Sequence, residues 1–392
     1  MKTIACALVC ALGAGGAAAA ESTITAISFG RADQAALTHA YYRPFTAATG
    51  IDVKSLSYDG QTTELKQMAK ADGAPWDVIQ VESRTLQLGC ENGLFEKLDY
   101  SRIAVAKSDF IPGALSECGV GIFAWSVALA YDADKLKTAP RSWADVWNLA
   151  KFPGKRGLRR SAKYTLEIAL LADGVPVENV YKVLATKEGV DRAFRKLDGI
   201  KDHVIWWTSA PDPQLYLEDG RLVMTPAYTL WLNREQARHS NLRVAWNKSL
   251  YDVDSWAIPK NTGKASDAYR FISFASQGEN QKAFSQELAY GPTNKKALPL
   301  LDAALASTLP SAEANLGDAL KIDTAFWIVH GEALEKRFDN WAPQLCAQQT
   351  DEDEDAVDYK GQTVCQDNRG NLRKIESDAP ATATYHQGAP VH

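Results

Sequence analysis

Apolar positions along this chain recur in two periods that take turns, one near two residues and one near 3.6. ITAISF, residues 24–29, reads as a strand ending in Gly30-Arg31. Over 33–49, Ala36, Leu37, Ala40, Tyr41 and Phe45 share one helical side, and Thr49-Gly50 closes the pattern. A second strand is expected at 51–56, a helix at 62–71 and a buried strand in WDVIQVE, residues 76–82. GIFAWSVALAY, residues 121–131, is apolar throughout and long enough to continue out of one sheet towards another. Helical patterns follow at 141–150, 162–171, 175–184 and 188–198, the first opened by Ser142 with Asp145 three residues on. KFPGKRGLRR, residues 151–160, leads into the second of them without an apolar period of its own. Strands are expected at 203–208 (HVIWWT), 221–228 and 242–246, with a helix at 265–276 after DSWAIPK. Strands alternating with helices predict an α/β chain with mainly parallel sheets flanked by helices. No internal repeat and no linker rich in Gly, Ser or Pro divides the body.

The ends of the chain differ from the body. Lys2, the apolar stretch from Ile4 to Leu12 and Ala18-Ala19-Ala20 before Glu21 make residues 1–20 a secretory signal peptide, too short for a membrane anchor. Cleavage there predicts a periplasmic protein. It removes Cys6 and Cys10 and leaves Cys90, Cys118, Cys346 and Cys365. An even number in an oxidising compartment points to two disulfides. Of the three possible pairings, Cys90–Cys118 with Cys346–Cys365 is the simplest, because the cysteines fall in two clusters. Residues 346–392 hold nine acids against four bases, so they read as an acidic polar tail on a nearly neutral body. The acidic run from Asp351 to Asp355 lacks the alternating ligands and central Gly of a calcium loop.

Charge and composition then narrow the function. With 43 Lys+Arg against 48 Asp+Glu over 392 residues, there is no basic surplus for a phosphate backbone, so no nucleic-acid partner is expected. Eleven Trp and fourteen Tyr favour an ordered protein that stacks rings on something. No nucleophile elbow, HExxH pair, P-loop or dinucleotide glycine motif is present, and the six His form no triad or metal cluster.

Four segments carry a family resemblance: ATGIDVKSLSYDGQTTELKQM, WDVIQVESRTLQLGCENGLFEKLD, YDVDSWAIPKN and AYGPTNKKAL, spanning Ala48 to Leu298. The chain resembles the bacterial extracellular solute-binding proteins of ABC importers, in the polyamine-binding branch and near its ω-amino-acid-binding relatives. The resemblance implies a two-lobed periplasmic binding protein fold, type II-like, with the ligand cleft between the lobes. It implies one lobe from 21–129 and 253–299, another from 130–252 and 300–345, and hinge crossings near 129–131, 251–253 and 298–301. It also implies a small-molecule ligand and membrane permease subunits as partners, with the binding protein acting as a monomer. Taken together with export and the missing catalytic motifs, the resemblance makes a binder the expectation rather than an enzyme, with neither cofactor nor metal.

What the resemblance implies for the ligand depends on single positions. Asp254 matches the family's amine-binding acid ahead of the S-x-A-I-P segment, and Asp252 lies on the same face if the segment is extended. Where a polyamine binder has its first aromatic, this chain has Gly30, followed by Arg31; after the 76–82 strand it reads Glu82-Ser83-Arg84. The pair of acids for the far amine aligns with Ser161 and Tyr164, next to Arg159 and Arg160. Acids lost and arginines gained at one end suit a zwitterion better than a diamine. The implied ligand is an ω-amino acid such as 4-aminobutyrate or 5-aminovalerate, with putrescine or spermidine as the alternative, and a sensor of the same ligand as the non-transport alternative. Asp254, with Asp252 or Glu82, is expected to hold the ammonium. Arg31, Arg84 or Arg160 is expected to hold the carboxylate. Trp125 with its neighbour Ser126, Tyr164, Tyr228 and Trp327 complete the expected contacts.

Overall fold

The computed structural model describes residues 22–58, 75–236, 241–345, 364–367 and 370–374. The leader at 1–20 and the helix expected at 62–71 lie outside them. Ten strands form one sheet: β1 (Thr23–Phe29), β2 (Asp52–Tyr58), β3 (Val78–Val81), β4 (Gly119–Asp132), β5 (Arg156–Arg159), β6 (Val204–Trp207), β7 (Met224–Tyr228), β8 (Leu242–Ala257), β9 (Gly291–Pro292) and β10 (Leu320–Lys321). Their order is β2-β1-β3-β8-β4-β7-β5-β6, with β9 on β4 and β10 on β8. The two ends of the sheet are parallel, β2-β1-β3 and β7-β5-β6, and the strands between them antiparallel.

β4 and β8 hold the two halves together. The start of β4 and the end of β8 sit with β3 and β9, while the end of β4 and the start of β8 sit with β7, and β10 pairs the middle of β8 at Leu250 and Tyr251. All fourteen residues of β4 are buried, as its unbroken apolar run requires. The β4–β8 register shifts twice, between Gly121 and Phe123 and between Val127 and Leu129. Each shift is a place where the paired strands bend. The segments expected separately at 242–246 and around DSWAIPK are one strand of sixteen residues.

Several elements depart from the sequence pattern. β5 carries one aliphatic side chain, Leu158, among arginines and a glycine, so no alternation announces it. The eighteen-residue helix Thr324–Trp341, capped by the Asp323 side chain on the Phe326 amide, packs its buried Phe326, Trp327, Leu334 and Phe338 inwards. The expected helix at 141–150 shrinks to Ala144–Trp147, because Asp145 folds back onto the Arg141 and Ser142 amides. The helix expected over 33–49 is present from Arg31 onward. A π turn at Thr38–Tyr42 swings Tyr41 onto Phe284 and Tyr42 towards Phe271 in the core.

The disulfide Cys90–Cys118 ties the Ser83–Glu91 helix to the start of β4 over a small core of Ile27, Phe29, Ile79, Leu86 and Phe95. Part of the acidic tail is folded. β11 (Gln344–Leu345), β12 (Val364–Gln366) and β13 (Leu372–Lys374) form a second sheet. Gln366 anchors it to β6, its amide donating to the Val204 carbonyl and its oxygen accepting from the Trp206 amide. Cys365 is disulfide-bonded, and Cys346, its expected partner, lies outside the described residues. Trp206 and Trp207, which alternation splits between faces, are both core. One packs on Phe338 and Trp341, and the other bonds Thr225.

Candidate functional site

The middle of β8 presents two carboxylates on one face, Asp252 and Asp254, both buried. A carboxylate held away from water must be given donors in fixed geometry. Asp254 receives them from two other strands: the Trp125 indole donates to Oδ1 at 3.1 Å, and the Gln80 amide to Oδ2 at 3.1 Å. Asp252 is committed differently. Its Oδ1 accepts the Ser83 hydroxyl at 2.6 Å and the Val253 amide at 2.9 Å, and Lys321 lies 3.5 Å away. Ser83 also donates to the Val253 carbonyl. Asp252 thus joins β8 to the Ser83–Glu91 helix and to β10.

Trp125 is the register partner of Asp252 and begins an aromatic cluster. Its ring centroid is 5.8 Å from that of Tyr228, at the end of β7, and 6.2 Å from that of Tyr164. Tyr164 and Tyr228 meet edge to face at 6.3 Å. At the far side stands Arg159, the last residue of β5. It donates to the Tyr228 hydroxyl at 3.2 Å, and its guanidinium lies 5.1 Å from the Tyr164 ring centre. Burial works against the Arg159 charge, but the Tyr228 and Tyr164 hydroxyls and Glu335 outweigh it, so its pKa rises. Burial also lifts the Tyr164 hydroxyl above its ordinary value; Arg159 pulls it down, while Glu82 and Asp252 push it up. Tyr164 therefore feels both a cationic and an anionic side. The site has acids on β8 and at Glu82, an arginine on β5, and three rings between them.

Tyr164 is held in an unusual backbone state, φ 75° and ψ −44°, within the first turn of the Ala162–Ala172 helix. A side chain other than glycine there is strained, and such strain gathers at functional sites. Three residues on, Glu167 is buried. Its Oε1 accepts the Trp327 indole at 2.7 Å and the Tyr181 hydroxyl at 3.1 Å, while Oε2 has no hydrogen-bond partner among the described residues. Burial raises its pKa from 4.5 to about 7, against the pull of those donors. The folded protein thus keeps this proton to higher pH than the unfolded chain does. Glu167 contributes stability that is full below about pH 4.5 and is lost as pH rises through about 7. The shift is worth about 3 kcal/mol. Glu167→Gln, which keeps an acceptor for Trp327, is expected to be close to neutral at pH 4.5. It should gain on wild type by about 2 to 3 kcal/mol in urea melts at pH 7.5. A mutational difference that does not change with pH would contradict the raised pKa.

Of the residues singled out from sequence, the structure brings together Trp125, Tyr164, Tyr228, Asp254 and, around them, Glu82 and Asp252. It takes three others elsewhere. Arg160 turns away from Arg159: its side chain donates to the Pro343 carbonyl and to Asp339, both at 2.8 Å, because neighbours on an extended segment face opposite ways. Ser126 is likewise on the far face from Trp125, donating to the Leu250 carbonyl. Trp327 is consumed by Glu167. Arg84 is exposed on the helix after β3. Arg31 starts its helix, and its side chain lies outside what is described. Arg159, Gln80 and Glu335 were missed. A glutamine inside the apolar run VIQV was the available signal for Gln80.

Comparison with known proteins fits this geometry. The family model of bacterial extracellular solute-binding proteins matches residues 40–311. The chain belongs to that family. Among its relatives is a gamma-aminobutyric acid-binding protein of Pseudomonas aeruginosa, 47% identical over 329 residues, covering 84% of this chain and 93% of the relative. A spermidine/putrescine-binding periplasmic protein of Salmonella typhimurium is 21% identical, over 67% of this chain and 76% of its own. A solved GABA receptor superposes with a TM-score of 0.72 at 28% identity, covering 84% of this chain and all of that one. The two-lobed α/β architecture of periplasmic binding proteins is therefore that of this chain. Among the described residues, no helix is long and apolar enough to cross a membrane, and no group of His, Cys, Asp and Glu could hold a metal ion.

Proposed function

We propose that this chain is the periplasmic substrate-binding component of an ABC importer and that its ligand is a short ω-amino acid, 4-aminobutyrate or 5-aminovalerate. The observation that carries the reading is the opposition of Arg159 and Asp254 across one cluster of rings. A guanidinium offers a carboxylate two parallel donors, which an amine cannot use. Asp254 takes the ammonium, and Trp125, Tyr164 and Tyr228 cover the methylenes between. The 47% identity to a gamma-aminobutyric acid-binding protein supports the same ligand class.

Capture proceeds by hinge closure. Lobes of 21–129 with 253–299 and of 130–252 with 300–345 are joined by β4 and β8, whose register shifts supply the places to bend. Asp254 lies on β8, whereas Arg159 and Tyr164 are carried by elements beyond β7. A ligand touching both would favour the closed form, which the permease subunits then engage. The ligand is returned unchanged, and the protein acts as a monomer after export through its leader.

Thermal melting of the mature protein with 4-aminobutyrate, 5-aminovalerate, putrescine and spermidine tests the reading. An ω-amino acid at 100 times its Kd should add about 2.7 kcal/mol, and putrescine and spermidine should add nothing at the same concentration. Stabilisation by putrescine or spermidine alone would mean that Arg159 does not select the ligand.

A further inference from the structure

The helix Thr324–Trp341 contributes no side chain to the ring cluster, yet one of its residues holds the turn on which the cluster depends. Glu335 reaches across to the start of the Ala162–Ala172 helix. Its Oε1 accepts the Ser161 hydroxyl at 2.7 Å and the Lys163 amide at 3.1 Å, and its Oε2 accepts the Ala162 amide at 2.8 Å. One carboxylate from 174 residues away therefore satisfies two of the otherwise orphaned first amides of that helix. A turn further along the same helix, Asp339 pairs with Arg160 and fixes the residue before Ser161. Between these anchors lies the strained stretch. Lys163 is extended at ψ 132°, and Tyr164 is at positive φ. A backbone conformation of that kind persists only where its surroundings over-determine it.

Resting on the proposed function, we infer that Glu335 is a positioning residue for ligand selection. By pinning the 160–164 turn, and by its own charge near Arg159, it orients the Arg159 guanidinium and the Tyr164 ring towards the ligand's carboxylate end. It does not touch the ligand. Its effect passes through Arg159, so it should vanish when Arg159 no longer offers a fork of donors.

That coupling is measurable as a double-mutant cycle with 4-aminobutyrate as the titrant, using Glu335→Gln, Arg159→Lys and the pair. Glutamine keeps one oxygen for the turn but replaces the other with a donor facing an amide. Glu335→Gln alone is expected to weaken binding about tenfold, and in the Arg159→Lys background by no more than about threefold. Lysine retains the charge but not the planar fork, so binding stays measurable in both lysine variants. Glu335→Asp, with the carboxylate kept on a shorter arm, is expected to recover part of the loss and serves in the same cycle if the glutamine variant does not fold. A tenfold effect undiminished by Arg159→Lys, or no effect in wild type, overturns the inference while leaving the ligand assignment intact. Wild-type affinity in Arg159→Lys itself removes both the carboxylate assignment and the role of Glu335. A merely structural Glu335 would lower the ligand-free melting temperature and weaken binding equally in both backgrounds.

Discussion

Arg159→Met should lower the affinity for 4-aminobutyrate by about a thousandfold, roughly 4 kcal/mol, while leaving the fold in place. The size follows from what is removed. Arg159 is part-buried beside two tyrosines, where a carboxylate that lost its partner could not recover the loss in water. Methionine fills much of the same volume along the Tyr164 face and asks for no hydrogen bond. The Tyr228 hydroxyl loses one donor, a modest cost of about 1 kcal/mol. Titration calorimetry gives the affinity, and melting of the ligand-free variant separates binding from stability. The discriminating comparison is Arg160→Met. Arg160 bonds Asp339 and the Pro343 carbonyl, so its loss should lower the melting temperature and change affinity far less. A larger binding loss at Arg160 than at Arg159 would reverse the assignment.

That single-residue step marks where the sequence stopped being legible. Elements such as β1, β3, β4, the Lys187–Asp198 helix and the Ala265–Ala275 helix were readable because their apolar periods are set by burial on known faces. The binding-protein fold came with the family resemblance, as did the proposal of Asp254 for the ammonium, and the disulfide between Cys90 and Cys118 came from the clustering of the cysteines. The arginine end did not come through. Its strand, RGLR, has no alternation of apolar and polar residues, and without a strand there is no parity to say which of Arg159 and Arg160 faces inward.

Other parts of the site depend on contacts across the chain that no local pattern encodes. Glu335 meets Ser161 from a helix whose amphipathic pattern is blurred by an exposed Val329 and by the polar residues from His330 onward. Trp327 had the composition of a ligand contact, but its indole answers Glu167, 160 residues away. Apart from the family match at Asp254, the residues themselves do not separate Asp252 from Asp254, which carry the same group on one strand face. The placement of Ser83, Lys321, Trp125 and Gln80 is what separates the joint at Asp252 from the group proposed for the ammonium. The tail was read from composition as acidic and polar. The glutamine that pairs it with β6 is one polar residue among many, and its role depends on the exposed edge it finds.

The distinction between those two acids yields the other large effect. Asp254→Asn is expected to weaken 4-aminobutyrate binding by about a hundredfold to a thousandfold, roughly 3 to 4 kcal/mol, with little change in folding. The amide is isosteric, and the site can absorb it. Its oxygen continues to accept the Trp125 indole, which can only donate. Its NH2 then faces Gln80, whose side chain can turn over to present oxygen, at the expense of a long 3.4 Å bond from the Phe29 amide. Packing and hydrogen bonding survive, and what disappears is the negative charge that an ammonium pairs with. Asp252→Asn is the control. That carboxylate already serves Ser83, the Val253 amide and Lys321, so its loss should cost stability and no more than about tenfold in affinity. Calorimetric titration of both variants decides between them. Equal losses at the two positions would make the acids a shared ammonium site. A loss confined to Asp252→Asn would move the ammonium to the Ser83 side of β8.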